Sequence, residues 1–175
     1  TASSPMPPDQ QAMRRRELPD RPLRFCMVTT FYPPFNFGGD GITVRRLVNT
    51  LAGHGHHVEV AHCVDAFEML RPEGVPPGGP YDDHPSVVHH PLRSAAGRLS
   101  PLLTQQTGSP GLKRAALRRL LTEGRFDVVH FHNASLIGPT ALAYGDALKL
   151  YTTHEHWLVC PTHVLWRFNR EPCTE

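Results

Sequence analysis

The chain has 175 residues, about one domain's worth, and 39% of them are hydrophobic, so a buried core is expected and a wholly disordered chain is excluded. Eighteen Lys and Arg against 16 Asp and Glu leave a net charge of +2, which gives no reason to expect nucleic acid as a partner. Because no run of about 18 apolar residues occurs, the sequence predicts no membrane-spanning helix.

A proline-rich start leads into the first strand and helix. Residues 1–22 hold five Pro and few large apolar residues, so we expect a flexible lead-in before a single domain over 23–175. A nearly continuous apolar run over 23–30 predicts a strand buried on both faces. Asp40 is the expected N-cap of a helix that ends at Gly53. The apolar stripe of this helix repeats at helical spacing, in Val44, Leu47, Val48 and Leu51.

The middle of the chain alternates short strands with less regular segments. A second strand is predicted over 57–63 and a short third strand over 86–90. Between them, residues 64–85 are rich in Pro, Gly and Asp and predict a long loop. Residues 93–108 fit neither the helical nor the strand pattern, so their structure stays open.

The last third of the sequence completes a strand–helix alternation. Ser109 and Pro110 predict a helix start, with Ser as N-cap and Pro at the first helical position. Two further strands are predicted over 126–132 and 148–153, with a helix within 134–146. Strands alternating with helices imply right-handed crossovers, hence an α/β fold with a doubly wound parallel sheet and helices on both faces. In the helix after Pro110 we expect a buried stripe of Leu117, Leu120 and Leu121, and solvent-facing Lys113, Arg114, Arg118 and Arg119.

A glycine-rich segment follows the first predicted strand. In an open α/β sheet, ligands bind beyond the carboxyl ends of the strands. Gly38, Gly39 and Gly41 stand there at the start of a helix, where glycines let the backbone approach a ligand and the helix N-terminus attracts phosphate. The segment therefore predicts a phosphate-binding loop, although a simple glycine turn explains the same residues.

A dinucleotide site fits this segment badly. The fingerprint needs a third glycine where Val44 stands, and the loop from Thr30 to Gly38 is too long for its tight turn. Asp65, after the second strand, is a lone match to the acid that would bind a ribose. A Walker loop is excluded because no Gly-Lys-Ser/Thr occurs.

Histidines stand at the ends of the fourth and fifth predicted strands. His130 and His132 share one face of the fourth strand, because residues two apart in a strand point the same way. His154 and His156 follow the fifth strand. An imidazole there can donate to a phosphate or sugar oxygen or carry a proton, whereas a structural role is the commoner one for any single histidine. Four of them at one edge favour a site.

Metal-binding residue types are concentrated near the end of the chain, but their spacing matches no standard zinc finger. A structural zinc site needs four ligands in closed geometry, so we expect no metal here. Cys26 and Cys63 lie in apolar strand-like runs, which indicates buried free thiols and a reducing, cytoplasmic setting. The residues of the weak metal candidate are His154, His156, Cys160, His163 and Cys173.

Four segments together resemble a known family. They are Phe25-Cys-Met-Val-Thr-Thr-Phe-Tyr-Pro-Pro with the glycine segment after it, Leu47-Val-Asn-Thr-Leu-Ala-Gly-His-Gly-His-His-Val-Glu-Val, Phe126-Asp-Val-Val-His-Phe-His132, and Thr153-His-Glu-His-Trp-Leu-Val-Cys-Pro161. In this order and at these separations the chain resembles the N-terminal domain of retaining glycosyltransferases of family four. The resemblance implies a Rossmann-like domain, the first half of a GT-B architecture, with a C-terminal donor-binding domain expected beyond this chain.

The resemblance also implies a reaction and roles for particular residues. It implies transfer of a sugar from a nucleotide-sugar donor to the hydroxyl of a carbohydrate or lipid-linked acceptor, with retention and with no cofactor, by an enzyme that can associate with the inner membrane surface. His154 would lie against the donor sugar, and the glycine segment would reach the donor phosphates. His132, Asn133 and Glu155 would line the acceptor side, although the family has Asp where Glu155 stands. Two alternatives stay open: a non-catalytic nucleotide- or phosphate-binding module, and a metal-stabilised domain.

Overall fold

The computed structural model describes residues 20–79, 81–156, 159–160, 165–167 and 170–173. Nearly all of the predicted lead-in lies outside the described residues, and so does His163 of the weak metal candidate. Among the helices within these ranges, none is long and apolar enough to cross a membrane.

A five-stranded parallel sheet forms the centre of the fold. Its order is β3-β2-β1-β4-β5, so the first strand is central and the chain builds outwards from it in both directions. All five predicted strands are confirmed. The inner strands β1, β2 and β4 are mostly buried, as in a parallel sheet, whereas the edge strands β3 and β5 are largely exposed. The bounds are β1 Arg24–Thr29, β2 His57–Cys63, β3 Val88–Leu92, β4 Val128–Phe131 and β5 Leu148–Tyr151.

Helices cover both faces of the sheet, as predicted. They are α1 Gly39–Gly53, α2 Val64–Leu70, α3 Leu99–Thr107 and α4 Arg114–Glu123. Short 3-10 turns span Gly111–Lys113 and Pro139–Ala143, and a small antiparallel pair is formed by β6 Trp166–Arg167 and β7 Glu171–Pro172.

The core has two clusters because successive strand residues point to opposite faces. The α1-side cluster joins helix α1 to the sheet through Met27, Tyr32, Val44, Val48, Ala52, Val58 and Val60. The opposite cluster joins α2, α4 and the second 3-10 turn to the sheet, with Cys26, Val28, Cys63, Ala66, Leu117, Leu121 and Ala141 among its buried members. Cys26 and Cys63 are buried free thiols, as expected, and burial raises the pKa of both.

Four local predictions are wrong. The helix expected to begin at Ser109 and Pro110 opens instead with the 3-10 turn Gly111–Lys113, and α4 begins at Arg114. The segment over 64–85 is not all loop, because α2 continues directly from β2 and buries Ala66 and Phe67. The helix predicted within 134–146 is reduced to a 3-10 turn, since Gly138 has a positive φ of 109° and Pro139 follows it. Asp40 lies in the first turn of α1, whose N-cap is Gly38.

A buried lysine is the fifth correction. Lys113 was expected in solvent, yet it is 2% exposed. Its Nζ donates to Ser100 Oγ and lies 3.8 Å from Asp65 Oδ2, which also accepts from Ser94 Oγ at 2.7 Å. The network ties α2, α3 and the start of α4 together, and it occupies the carboxylate that a ribose-binding role would need.

Candidate functional site

A row of polar side chains crosses the carboxyl edge of the sheet, where all five parallel strands end. Thr29 of β1 is in register with His62 of β2. On the other side, the ladder between β1 and β4 continues as His132 N donates to Val28 O at 2.9 Å. Because neighbouring strands are about 4.8 Å apart, His62 and His132 stand roughly 10 Å from each other across Thr29. Because side chains alternate between the two faces along a strand, Thr29, His62 and His132 all lie on the side of the sheet that α1 covers.

The two histidine-bearing strand ends meet, as the sequence predicts. His132 Nδ1 lies 3.1 Å from His154 Nε2, so one ring donates a hydrogen bond and the other accepts it. The rings of His130 and His132 are 4.1 Å apart between centroids. His130 Nε2 in turn lies 2.8 Å from Thr152 Oγ1. The cluster therefore links the ends of β4 and β5 through side chains.

Burial keeps the inner histidines neutral. Desolvation, reinforced by His130 and His154, lowers the pKa of His132 to about 3 from an ordinary 6.5. Desolvation, with His89, Arg93 and His90 nearby, lowers the pKa of His62 to about 4. A neutral imidazole retains one donor and one acceptor nitrogen, which suits hydrogen bonding to hydroxyl groups.

Two ring nitrogens of this row have no internal partner. His132 Nε2 and His62 Nδ1 are both buried and form no hydrogen bond within the described part of the chain. Both residues are 3% exposed, and an unpaired polar atom buried to this degree costs about 1–3 kcal/mol. A bound ligand or an ordered water would remove this cost.

The glycine segment stands at the start of α1, which follows the carboxyl end of β1 through the loop over 30–38. A Cβ at Gly39 would meet nothing within 4 Å, whereas a Cβ at Gly41 would collide with Asn36 Oδ1 and stand 3.0 Å from Phe31 O. Gly41 is thus required by the packing of the chain itself, and Gly39 faces open space. Gly38 is extended, with φ −159°. The open position lies at the N-terminus of a 15-residue helix, where the backbone favours an anion.

The remaining predicted site residues divide into two groups. Asn133 is fixed by hydrogen bonds to neighbouring residues. Its backbone carbonyl accepts from Thr30 N and Thr30 Oγ1 at 2.8 and 2.7 Å, and its side-chain Oδ1 accepts from Ser135 Oγ at 2.9 Å. Glu155 and His154 line an open cleft of about 290 Å³ beyond β5. Asn133 therefore shapes the edge of the site, while His154 and Glu155 face the cleft.

Among the residues that the structure describes, no three His, Cys, Asp or Glu side chains come together as a metal site would require. Cys160 is buried, and its Sγ accepts from Leu165 N at 3.3 Å. Cys173 N donates to Leu165 O at 2.7 Å, so the two cysteines of the weak metal candidate both contact Leu165.

Another cleft, of about 400 Å³, lies at the amino ends of the strands beside Arg125 and Asp127. Asp127 is already bonded there by Arg21, at 2.6 Å, and by Arg24 N, at 2.8 Å. We assign the site to the opposite, carboxyl edge, because ligands of open α/β sheets bind there and because the unpaired ring nitrogens of His62 and His132 lie there.

Comparison with known families decides the class of the protein. Residues 37–172, more than half of the chain, match the family described as Glycosyltransferase Family 4. The chain belongs to glycosyltransferase family 4. The matched range includes the glycine segment, both histidine-bearing strand ends and His62. A search of curated proteins found no match to this family 4 chain.

The prediction from sequence missed His62. The sequence did contain a pattern that could have identified His62, since this residue is next to last in β2, as His130 is in β4. Within an apolar strand it looked like part of the core, and only the register with Thr29 shows that it shares a row with His132. In this family 4 domain the histidines of the carboxyl edge therefore come from three strand ends rather than two.

Acid should destabilise the family 4 domain through His62 and His132. Their pKa values are lowered to about 4 and about 3, so between these values and about 6.5 the unfolded chain binds more protons than the folded one. The free energy of unfolding should then fall on acidification below about pH 6.5, by up to ~1.4 kcal/mol per pH unit for each imidazole.

Urea unfolding between pH 7 and pH 5 measures this dependence. His62→Gln and His132→Gln should each flatten the pH profile, and exposed His57→Gln should leave it unchanged. Profiles of equal slope in all four proteins would show that the two buried imidazoles do not couple folding to pH.

Proposed function

We propose that this family 4 domain is the acceptor-side half of a retaining glycosyltransferase, which moves a sugar from a nucleotide-sugar donor to an acceptor hydroxyl. In this proposal a second domain binds most of the donor nucleotide, and no metal or other cofactor takes part. The observation that carries the proposal is that the open N-terminus of α1 and the buried histidines His62 and His132 belong to the same edge of the sheet.

Each part of this edge suits one part of the reaction. The backbone at Gly38 and Gly39 can approach the donor diphosphate, whose negative charge grows as the sugar leaves. His154 is exposed and can contact the transferred sugar, while buried His132 orients it through their 3.1 Å hydrogen bond. In this proposal His132, Asn133 and Glu155 line the acceptor side, and His62 Nδ1, which has no partner among the described residues, would bind an acceptor hydroxyl group.

The proposed cytoplasmic location rests on the cysteines. Cys26 and Cys63 are buried free thiols, which is typical of a reducing compartment. A nucleotide-sugar donor also fits that setting.

A pair of glycine substitutions tests the phosphate-binding role. Gly39→Ala should leave the free energy of unfolding unchanged within about 1 kcal/mol, because its new methyl meets no atom of the chain, yet weaken nucleoside diphosphate binding about tenfold or more. Gly41→Ala should cost about 1–3 kcal/mol of stability, because it collides with Asn36.

Urea unfolding and calorimetric titration with uridine, guanosine and adenosine diphosphates would measure both effects in the natural-length protein. Undiminished binding in Gly39→Ala would remove the glycine segment from the donor site. Tight binding by residues 1–175 alone would instead favour a non-catalytic nucleotide-binding module, because the donor domain should contribute most of the affinity for the nucleotide.

A further inference from the structure

A further cleft lies at the carboxyl edge of the sheet, beside β1, β2 and β3. It encloses about 330 Å³, and its walls come from the loop after β1, the last residues of β2 and β3, and the chain between α2 and β3. We call it the tyrosine cleft. The side chains that line it include Phe35, His62, Tyr81, Asp83 and His89.

Tyr81 presents an aromatic ring to this cleft. The guanidinium carbon of Arg45 lies 4.9 Å from the centroid of the Tyr81 ring, so a cation covers one face of the ring. The residue is nevertheless 46% exposed, which leaves the other face for the cleft. An aromatic ring held in this way offers a flat apolar surface at little cost in side-chain entropy. The C–H face of a sugar ring can pack against such a surface.

Asp83 fixes the wall that carries this tyrosine. Its carboxylate accepts from Tyr32 OH at 2.9 Å and from Asn49 Nδ2 at 2.8 Å, and it lies 2.6 Å from Arg45 Nε. Arg45 also donates to Asp82 O at 2.6 Å. These bonds join the wall to α1 and to the loop after β1. The carboxylate of Asp83 is therefore engaged by the chain itself, and it positions the cleft rather than binding a ligand.

The polar groups of the tyrosine cleft suit a neutral, hydroxylated ligand. The charge of Asp83 is balanced by Arg45, and burial lowers the pKa of His62 to about 4, which keeps its imidazole neutral. His62 Nδ1 has no hydrogen-bond partner among the described residues. A hydroxyl group both donates and accepts, so it satisfies a neutral imidazole in either tautomer. A nucleobase is a poorer occupant, because the carboxylate that could accept from its amino groups is already engaged.

We propose that the tyrosine cleft binds a neutral pyranose ring of the acceptor, packed on Tyr81 and hydrogen-bonded to His62, with Asp83 as the positioning residue. Assignment of this ring to the acceptor rests on the proposed function. Because His62 and His132 stand roughly 10 Å apart, the cleft extends the acceptor side away from the histidines of β4 and β5. The acceptor class that fits is a neutral glycan or glycoside.

Saturation-transfer NMR with the natural-length protein measures binding in the cleft. The probes are the methyl pyranosides of glucose, galactose and mannose, and we expect at least one of them to bind. Tyr81→Ser should weaken this binding about tenfold or more, whereas Tyr81→Phe, which keeps the ring, should stay within about twofold. His62→Phe, which keeps a ring without a polar nitrogen, should weaken it about fivefold. The matched control is Val75→Ser, which changes a side chain 44% exposed outside the cleft lining and should leave binding unaltered.

A double substitution separates positioning from a general loss of structure. Asp83→Asn should weaken pyranoside binding about threefold or more. Asp83→Asn combined with Tyr81→Ser should bind no more weakly than Tyr81→Ser alone, because Asp83 acts through the tyrosine. Circular dichroism identifies the folded variants, and additive losses in folded proteins would exclude the positioning role of Asp83.

Failure of all the pyranosides to bind would overturn the proposal, as would equal binding by Tyr81→Ser. Tighter binding of glucose 6-phosphate that Arg93→Ser abolishes would overturn it too, because Arg93 lies over the Phe35 ring, 5.6 Å from its centroid, and would then be assigned an anionic sugar. Displacement of the pyranosides by adenosine or uridine would assign the cleft to a nucleobase instead. Pyranoside binding that depends on Tyr81, in a protein that transfers no sugar from any donor, would support the cleft as a sugar site and refute only the proposed transfer.

Discussion

Replacing His154 with alanine should lower sugar transfer by about 100-fold or more while leaving the fold intact. His154 is exposed in the cleft beyond β5, so its removal empties no core position. It also removes the partner of His132 Nδ1 at 3.1 Å, so the contact with the sugar and the hydrogen bond that orients it disappear together.

The measurement is the release of nucleoside diphosphate by the natural-length protein, screened across uridine-, guanosine- and adenosine-diphosphate sugars. His54→Ala is the matched control, because its imidazole lies at the far end of α1 and bonds only Thr50 O among the described residues. Its turnover should stay within about twofold of the unchanged protein. Near-normal turnover by a folded His154→Ala protein would exclude His154 from the reaction.

Replacing Lys113 with alanine should cost about 3–5 kcal/mol of stability, the largest loss we expect from a single change outside the apolar core. The substitution leaves Asp65, 4% exposed, without its cation, and removes the donor to Ser100. In a domain of this size the melting temperature should fall by about 10 °C or more.

Urea unfolding distinguishes this buried pair from a surface pair. Arg119→Ala breaks an ion pair whose side chains are 79% and 67% exposed, and should cost less than about 1 kcal/mol. Replacing both buried partners, Lys113→Met with Asp65→Leu, should recover most of the loss, because no unpaired charge then remains. A loss below about 1 kcal/mol in Lys113→Ala would show that the pair contributes little.

Sequence patterns predicted the framework of the fold because the framework is locally encoded. The inner strands β1, β2 and β4 are mostly apolar runs, and the stripe of α1 has the period of a helix, so the parallel sheet followed from known rules of chain connection. The wrong predictions concern segments whose structure depends on contacts with residues distant in the sequence. Helix α2 has seven residues, too few to be stable alone, and forms because Ala66 and Phe67 pack into the core.

The candidate site was partly predictable for the same reason. His130, His132 and His154 follow recognisable strands, so their meeting at one edge was expected. His62 joins them only through the register of β1 with β2. Lys113 lies on an apparently cationic helix face, and its burial depends on Asp65 and Ser100, 48 and 13 residues away in the sequence. No local pattern contains that information.

The two core clusters differ in when their members are synthesised. Every buried residue of the α1-side cluster lies within residues 27–60. The opposite cluster draws on residues from 26 to 141, because α4, β4 and the second 3-10 turn contribute to it. On the ribosome, therefore, the last buried member of the first cluster is translated some 80 residues before the last member of the second, so one face of β1 acquires its full set of packing partners well ahead of the other.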